Sequence, residues 1–150
     1  MSNKIVLVDL DGTLALNLHR YYLIDPARGK PDYKAYFLSC DQDKPNLPVI
    51  ETVRSLRMSG HKVHIFSARG KVSYNKTVDW LERYKIPYDF LTMRDEGNFT
   101  PDEDLKKQWL LEKYPNYKED ILCVFDDRDK VVDMWRSLKV TCFQVAPGNF

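Results

Sequence analysis

The apolar residues of this chain fall into short, nearly unbroken runs separated by longer stretches in which they recur every three or four positions. The first run is Ile5 to Leu10, and others follow at "HKVHIFSA" after Gly60, "YDFLTM" from Tyr88, "ILCVF" from Ile121 and "VTCFQV" from Val140. Strands without polar alternation belong inside a sheet covered on both faces. Their alternation with helical periods is the signature of βαβ units, so the pattern predicts an α/β fold with a doubly wound parallel sheet.

The intervening helices carry end signals. In "NLPVIETVRSLRMSG", Asn46 stands as an N-cap, Val49, Ile50, Val53 and Leu56 share a face, and Gly60 supplies the stop. From Ser73, the residues Tyr74, Thr77, Val78, Leu81 and Tyr84 are spaced for a second helix. "TPDEDLKKQWLLEKY" opens like a capping box, with Thr100, Pro101 and Glu103 in order, and "DKVVDMWRSL" gives the last helix. The stretch from Leu14 to Pro45 has no clean period and is rich in Tyr, Asp, Lys and Pro. A connection of that length in a compact domain is usually functional, and residues 14–45 are expected to form a cap or substrate loop over the mouth of a site.

A length of 150 residues with 43% hydrophobic composition suits one domain spanning residues 1–150. The formal net charge of +1 gives no global polycation, so any polyanion site must be local. Three cysteines without zinc-type spacing read as reduced core residues, no signal peptide is visible, and no apolar run reaches the roughly 20 residues of a membrane span. The expectation is a cytoplasmic protein with no membrane partner.

Ligands of open parallel sheets bind beyond the carboxyl ends of the strands. That rule gathers Asp9 and Asp11 after the first run, Ser67 and Arg69 after the second, and Asp126 and Asp127 after the fourth, with Lys106 just inside the third helix. Four carboxylates at one edge repel unless a cation holds them, and hard oxygen ligands favour Mg²⁺. Ser67, Arg69 and Lys106 then supply donors and positive charge for a tetrahedral phosphate. Asp9 is placed to attack phosphorus and give an aspartyl-phosphate. Asp11 is placed to protonate the leaving oxygen and later deprotonate water. Gly12 and Thr13 shape the turn between strand and loop.

"DLDGT", Ser67, Lys106 and "FDDRD" resemble, in that order, the four motifs of the haloacid dehalogenase superfamily of Mg²⁺-dependent phosphohydrolases. The chain is most similar to the 3′-phosphatase domain of polynucleotide kinase–phosphatases, on "FSARG", on "CDQD", and on the block "DDRDKVVDMWRSLKVTCFQVAPGNF". The resemblance implies Asp9 as nucleophile and metal ligand, and Asp11 as acid/base with its backbone carbonyl on the metal. It also implies phosphate contacts from Ser67, Lys106 and Arg69, and metal ligation completed or oriented by Asp126 and Asp127. Arg94 and Arg128 are the substrate-side candidates. The implied substrate is a 3′-phosphorylated DNA or RNA end, with a separate polynucleotide kinase or ligase as partner, because no GxxxxGK[ST] phosphate loop is present.

Between Arg94 and Lys106 the family commonly shows Arg-x-x-Gly-Asp-x-Arg-x-Asp, whereas this chain carries Asn98 and Thr100 in place of an Asp and an Arg. That departure keeps a nucleoside monophosphate phosphatase open as an alternative. A receiver-like phospho-binding module is a further one, disfavoured because its acceptor Asp follows a later strand. Tyr21, Tyr22, Tyr33 and Tyr36, interleaved with Arg20, Arg28, Lys30 and Lys34, could stack bases and meet phosphates of a single strand, or form an ordinary wrapped surface. His19, His61 and His64 lack spaced partners, and Trp80, Trp109 and Trp135 read as core or interface residues.

Overall fold

The computed structural model describes residues 3–150. Its centre is a sheet of β1 (Ile5–Val8), β4 (Lys62–Gly70), β5 (Phe90–Arg94), β6 (Ile121–Asp126) and β7 (Cys142–Gln144), in the order β5-β4-β1-β6-β7. All pairings in this sheet are parallel. The chain leaves β1 for β4 on one side and later returns to β6 on the other, so strand order reverses at β1 and a crevice opens beyond its carboxyl end.

Helices α2 (Leu47–Met58) and α3 (Tyr74–Arg83) cover one face; α4 (Asp102–Lys113) and α6 (Asp129–Ser137) cover the other. Side-chain alternation divides the strands between two cores. Val6, Val8, Val63, Ile65, Cys123 and Phe125 pack with Val53, Trp80 and Leu81. Leu7, Phe66 and Val124 pack with Leu105, Trp109, Val132 and Trp135. The three tryptophans are thus core residues, and all three cysteines are buried and free.

Residues 14–45 are more ordered than the absence of a period suggests. Antiparallel β2 (Ala15–Leu16) and β3 (Lys44–Pro45) tie its two ends together, and between them lie 3-10 turns at Leu18–Leu23, Pro26–Arg28 and Cys40–Gln42 and helix α1 (Tyr33–Leu38). Elements of two to six residues are too short to show a period. A further short helix, α5 (Tyr117–Asp120), precedes β6. The expected capping box at Thr100 is not formed: α4 starts at Asp102, and the Thr100 carbonyl instead accepts from Arg94. Asn46 does hold the N-cap position of α2, but its side chain donates to the Thr13 carbonyl. Among the described residues no helix is long and apolar enough to cross a membrane.

Candidate active site

β1 is buried from Val6 to Val8, and the chain then turns at Gly12, whose φ of 80° suits glycine. A Cβ at Gly12 would lie 2.1 Å from Asp127 Oδ2, so the absence of a side chain lets two loops converge. Asp9, at the end of β1, is buried and donates its backbone N–H to the Phe125 carbonyl at 2.9 Å. The parallel pairing of β1 and β6 therefore places Asp9 beside Asp126 and Asp127, and these three carboxyl groups offer oxygens within 4.8 Å of one another.

Lys106 reaches into this cluster from the first turns of α4, its Nζ donating at 2.8 Å to both Asp9 Oδ1 and Asp126 Oδ2. Thr13 Oγ1 donates to Asp9 Oδ2 at 3.0 Å. Burial pushes the Asp9 carboxyl well above the usual carboxylate range; Asp126 and Asp127 add to the rise, while Lys106 opposes it. Burial, followed by the charge of Asp126, raises Asp127 to about 6. Burial of Lys106 opposes its charge, but Asp126 and Asp9 outweigh that and drive it upward. One ammonium among three buried carboxyl groups leaves negative charge uncompensated, and this oxygen donor set fits a hard divalent cation.

Asp11 points to a different set of partners. Burial would raise its carboxyl, but Arg69 and Arg20 outweigh that and bring it to about 2. Arg69 reaches Asp11 through Nη2 and through Nε at 3.4 Å, and donates from Nη1 to Thr77 Oγ1 at 2.9 Å. Arg20 reaches Asp11 through Nη2, the Asp43 carboxylate at 2.8 and 2.7 Å, and the Tyr36 carbonyl at 2.9 Å. Asp43 lies 3.5 Å from Arg69 and accepts from His19, so it closes a network of buried opposite charges beside the acidic cluster. Ser67, near the end of β4, is buried, and its Oγ accepts from the Arg69 N–H at 3.2 Å.

The structure thus brings together Asp9, Asp11, Ser67, Arg69, Lys106, Asp126 and Asp127 at the carboxyl edge of the sheet. Arg94 lies apart. It donates to the carbonyls of Ala68, Asn98 and Thr100 and to Asp102, and so fastens the loop before α4. Asp102 also accepts from Arg128 at 2.9 Å, linking that loop to the residue after Asp127. The sequence reading missed the role of Arg20 and Asp43. Arg20 and Tyr36, grouped there with residues available to a single strand, are buried. "CDQD" contained the only hint of Asp43. Of the histidines, His61 accepts from the Lys4 N–H and His64 bonds Tyr114 and Thr92, and neither joins the site.

Comparison with known proteins points in one direction. The family model of the polynucleotide kinase PNKP phosphatase domain matches residues 3–150. A protein of Autographa californica nuclear polyhedrosis virus, named as a bifunctional polynucleotide kinase/RNA ligase, is 34% identical over 146 residues, which are 95% of this chain and 19% of that protein. A chain in the structure of the Pnkp1/Rnl/Hen1 RNA repair complex superposes with a TM-score of 0.82 at 36% identity, covering 99% of this chain and 44% of that one. This chain therefore spans less than half the length of either relative. A haloacid dehalogenase-like hydrolase from Streptococcus pneumoniae shares the fold, with a TM-score of 0.63 at 12% identity over 95% of this chain and 84% of that one.

Proposed function

This chain belongs to the family of the polynucleotide kinase PNKP phosphatase domain, a haloacid dehalogenase-type phosphatase, and from that premise we propose that it removes 3′-phosphates from DNA or RNA ends through an aspartyl-phosphate. The observation that carries the reading is the contact of Lys106 with both Asp9 and Asp126, at the point where strand order reverses.

In this reading a carboxylate oxygen of Asp9 attacks phosphorus, the new Asp–O–P bond forms, and the ester P–O bond breaks. The departing oxygen takes a proton from Asp11, which takes one up only once substrate entry parts it from Arg69 and Arg20, since the paired carboxyl sits at about 2. Water then attacks the phosphoryl group, gives its proton to Asp11, and releases inorganic phosphate and the free Asp9 carboxylate. Lys106 and Ser67 bind the transferred phosphoryl oxygens. Before substrate enters, Arg69 and Arg20 hold Asp11 as a carboxylate from two sides. Asp9, Asp126 and Asp127, with the Asp11 carbonyl, would hold Mg²⁺, which supplies charge neutralisation for carboxylates and phosphate when bound.

The test is an initial-rate panel in Mg²⁺ comparing 3′-phosphorylated DNA and RNA oligonucleotides with 3′- and 5′-mononucleotides, with Asp9→Asn as control. Turnover of the oligonucleotides, lost in Asp9→Asn, is expected. Release from mononucleotides alone would replace the polynucleotide substrate by a free nucleotide. A stable phosphoprotein without turnover would indicate a receiver-like module.

A further inference from the structure

We propose that Tyr21 and Phe150 form a platform at the mouth of the site on which the terminal base of the substrate stacks, a role that rests on the proposed polynucleotide substrate. The two rings meet edge to face, with centroids 6.2 Å apart and planes at 72°. They lie far apart in the sequence and come from different segments. Tyr21 follows Arg20, whose guanidinium holds Asp11; Phe150 is fixed by Arg128, the residue after Asp127. The pair therefore joins two segments that lead to the carboxyl groups, one through Arg20 to Asp11 and one through Arg128 to Asp127.

Phe150 is anchored by its backbone, since Arg128 Nε donates to its carbonyl at 2.8 Å and its own N–H donates to the Gly148 carbonyl. The residue nevertheless remains 48% exposed. Arg128 lies over the Phe150 ring, 5.4 Å from its centroid, and adds positive charge beside the aromatic surface. In an edge-to-face pair, the ring that contributes its edge keeps both faces out of the contact. An aromatic surface with a guanidinium beside it, set next to a phosphate-handling cluster, is complementary to a base whose own 3′-phosphate lies in the crevice. Stacking needs only the π-face that every base possesses, so the platform serves any terminal base.

The test is the affinity of 5′-fluorescein single strands for the Asp9→Asn protein, measured by anisotropy. Two 3′-phosphorylated strands are compared, one ending in an ordinary nucleotide and one in an abasic residue. Phe150→Ala is expected to weaken the ordinary end about tenfold and to leave the abasic end unchanged, Phe150→Tyr to restore the affinity, and Tyr21→Ala to behave as Phe150→Ala. Equal weakening of both strands, or none, overturns the platform. If the unmodified protein hydrolyses no 3′-phosphate while the split between the strands persists, the catalytic reading falls and the platform stands.

Discussion

Arg20 grips both carboxylate oxygens of Asp43, through Nε at 2.8 Å and Nη2 at 2.7 Å, and the same Nη2 also reaches Asp11. Both partners of this pair are buried, Arg20 at 1% exposure and Asp43 at 1%. Breaking a buried pair from one side strands the other charge, at a cost of about 3–5 kcal/mol. Arg20→Met is therefore expected to lower unfolding stability by that order in urea titrations and to reduce kcat on a small aryl phosphate. Arg20→Lys is expected to recover little of either, because a single ammonium cannot span Asp43 and Asp11 as the planar fork does.

Gly12 provides a narrower perturbation. Its φ of 80° opposes any side chain, and so does Asp127 Oδ2, which a methyl carbon at this position would meet at 2.1 Å. Gly12→Ala is expected to cost roughly 1–2 kcal/mol through backbone strain and to displace Asp127 from Asp9. Circular dichroism should show the fold retained, while kcat falls by roughly a hundredfold, the scale on which misplacement of about 1 Å is felt.

The metal proposal has a readout that needs no substrate. If Asp9, Asp126 and Asp127 hold Mg²⁺, binding to the folded chain alone raises stability by about 2.7 kcal/mol at a hundred times the dissociation constant. Thermal unfolding of the chelator-treated protein should rise with added Mg²⁺. Asp126→Asn should abolish the rise. An unchanged midpoint in the unmodified protein would count against this ligand set.

These residues differ in how far the sequence exposes them. Asp9, Ser67 and Asp126 stand at the ends of apolar runs, and one rule about parallel sheets assigns them a common edge from the sequence alone. Lys106 follows from the helix that starts at Asp102, a few residues ahead of it. Arg20 and Asp43 are different in kind. They lie on 3-10 and loop segments, and their pairing depends on the two-residue ladder of Ala15 and Leu16 with Pro45 and Lys44. No periodicity reports so short a ladder, so a cation beside tyrosines reads as solvated when it is in fact enclosed. Phe150 escapes for a related reason: its neighbours Tyr21 and Arg128 are distant in sequence and share no pattern with it.

His64 gives stability a pH dependence that can be isolated from the site. It sits on β4 between Tyr114 and Thr92, with Nδ1 and Nε2 each 2.7 Å from a hydroxyl, and packs against Phe66 and Phe90. A neutral imidazole has one donor and one acceptor, so it can satisfy both hydroxyl partners without becoming charged. Burial, reinforced by the charge of Lys113, lowers its pKa to about 4, against about 6.5 for an unperturbed histidine. Below pH 6.5 the unfolded chain takes up a proton that the folded chain refuses until about pH 4. The contribution is therefore fully present above pH 6.5 and is lost as pH falls from there to 4, by about 3 kcal/mol at most. His64→Gln retains a donor and an acceptor but does not titrate. Urea unfolding at a series of pH values should show the unmodified protein losing stability more steeply than His64→Gln across this window, and parallel profiles would contradict the assignment. The carboxyl groups of the site titrate in both proteins, so the difference between the two profiles reports His64 alone.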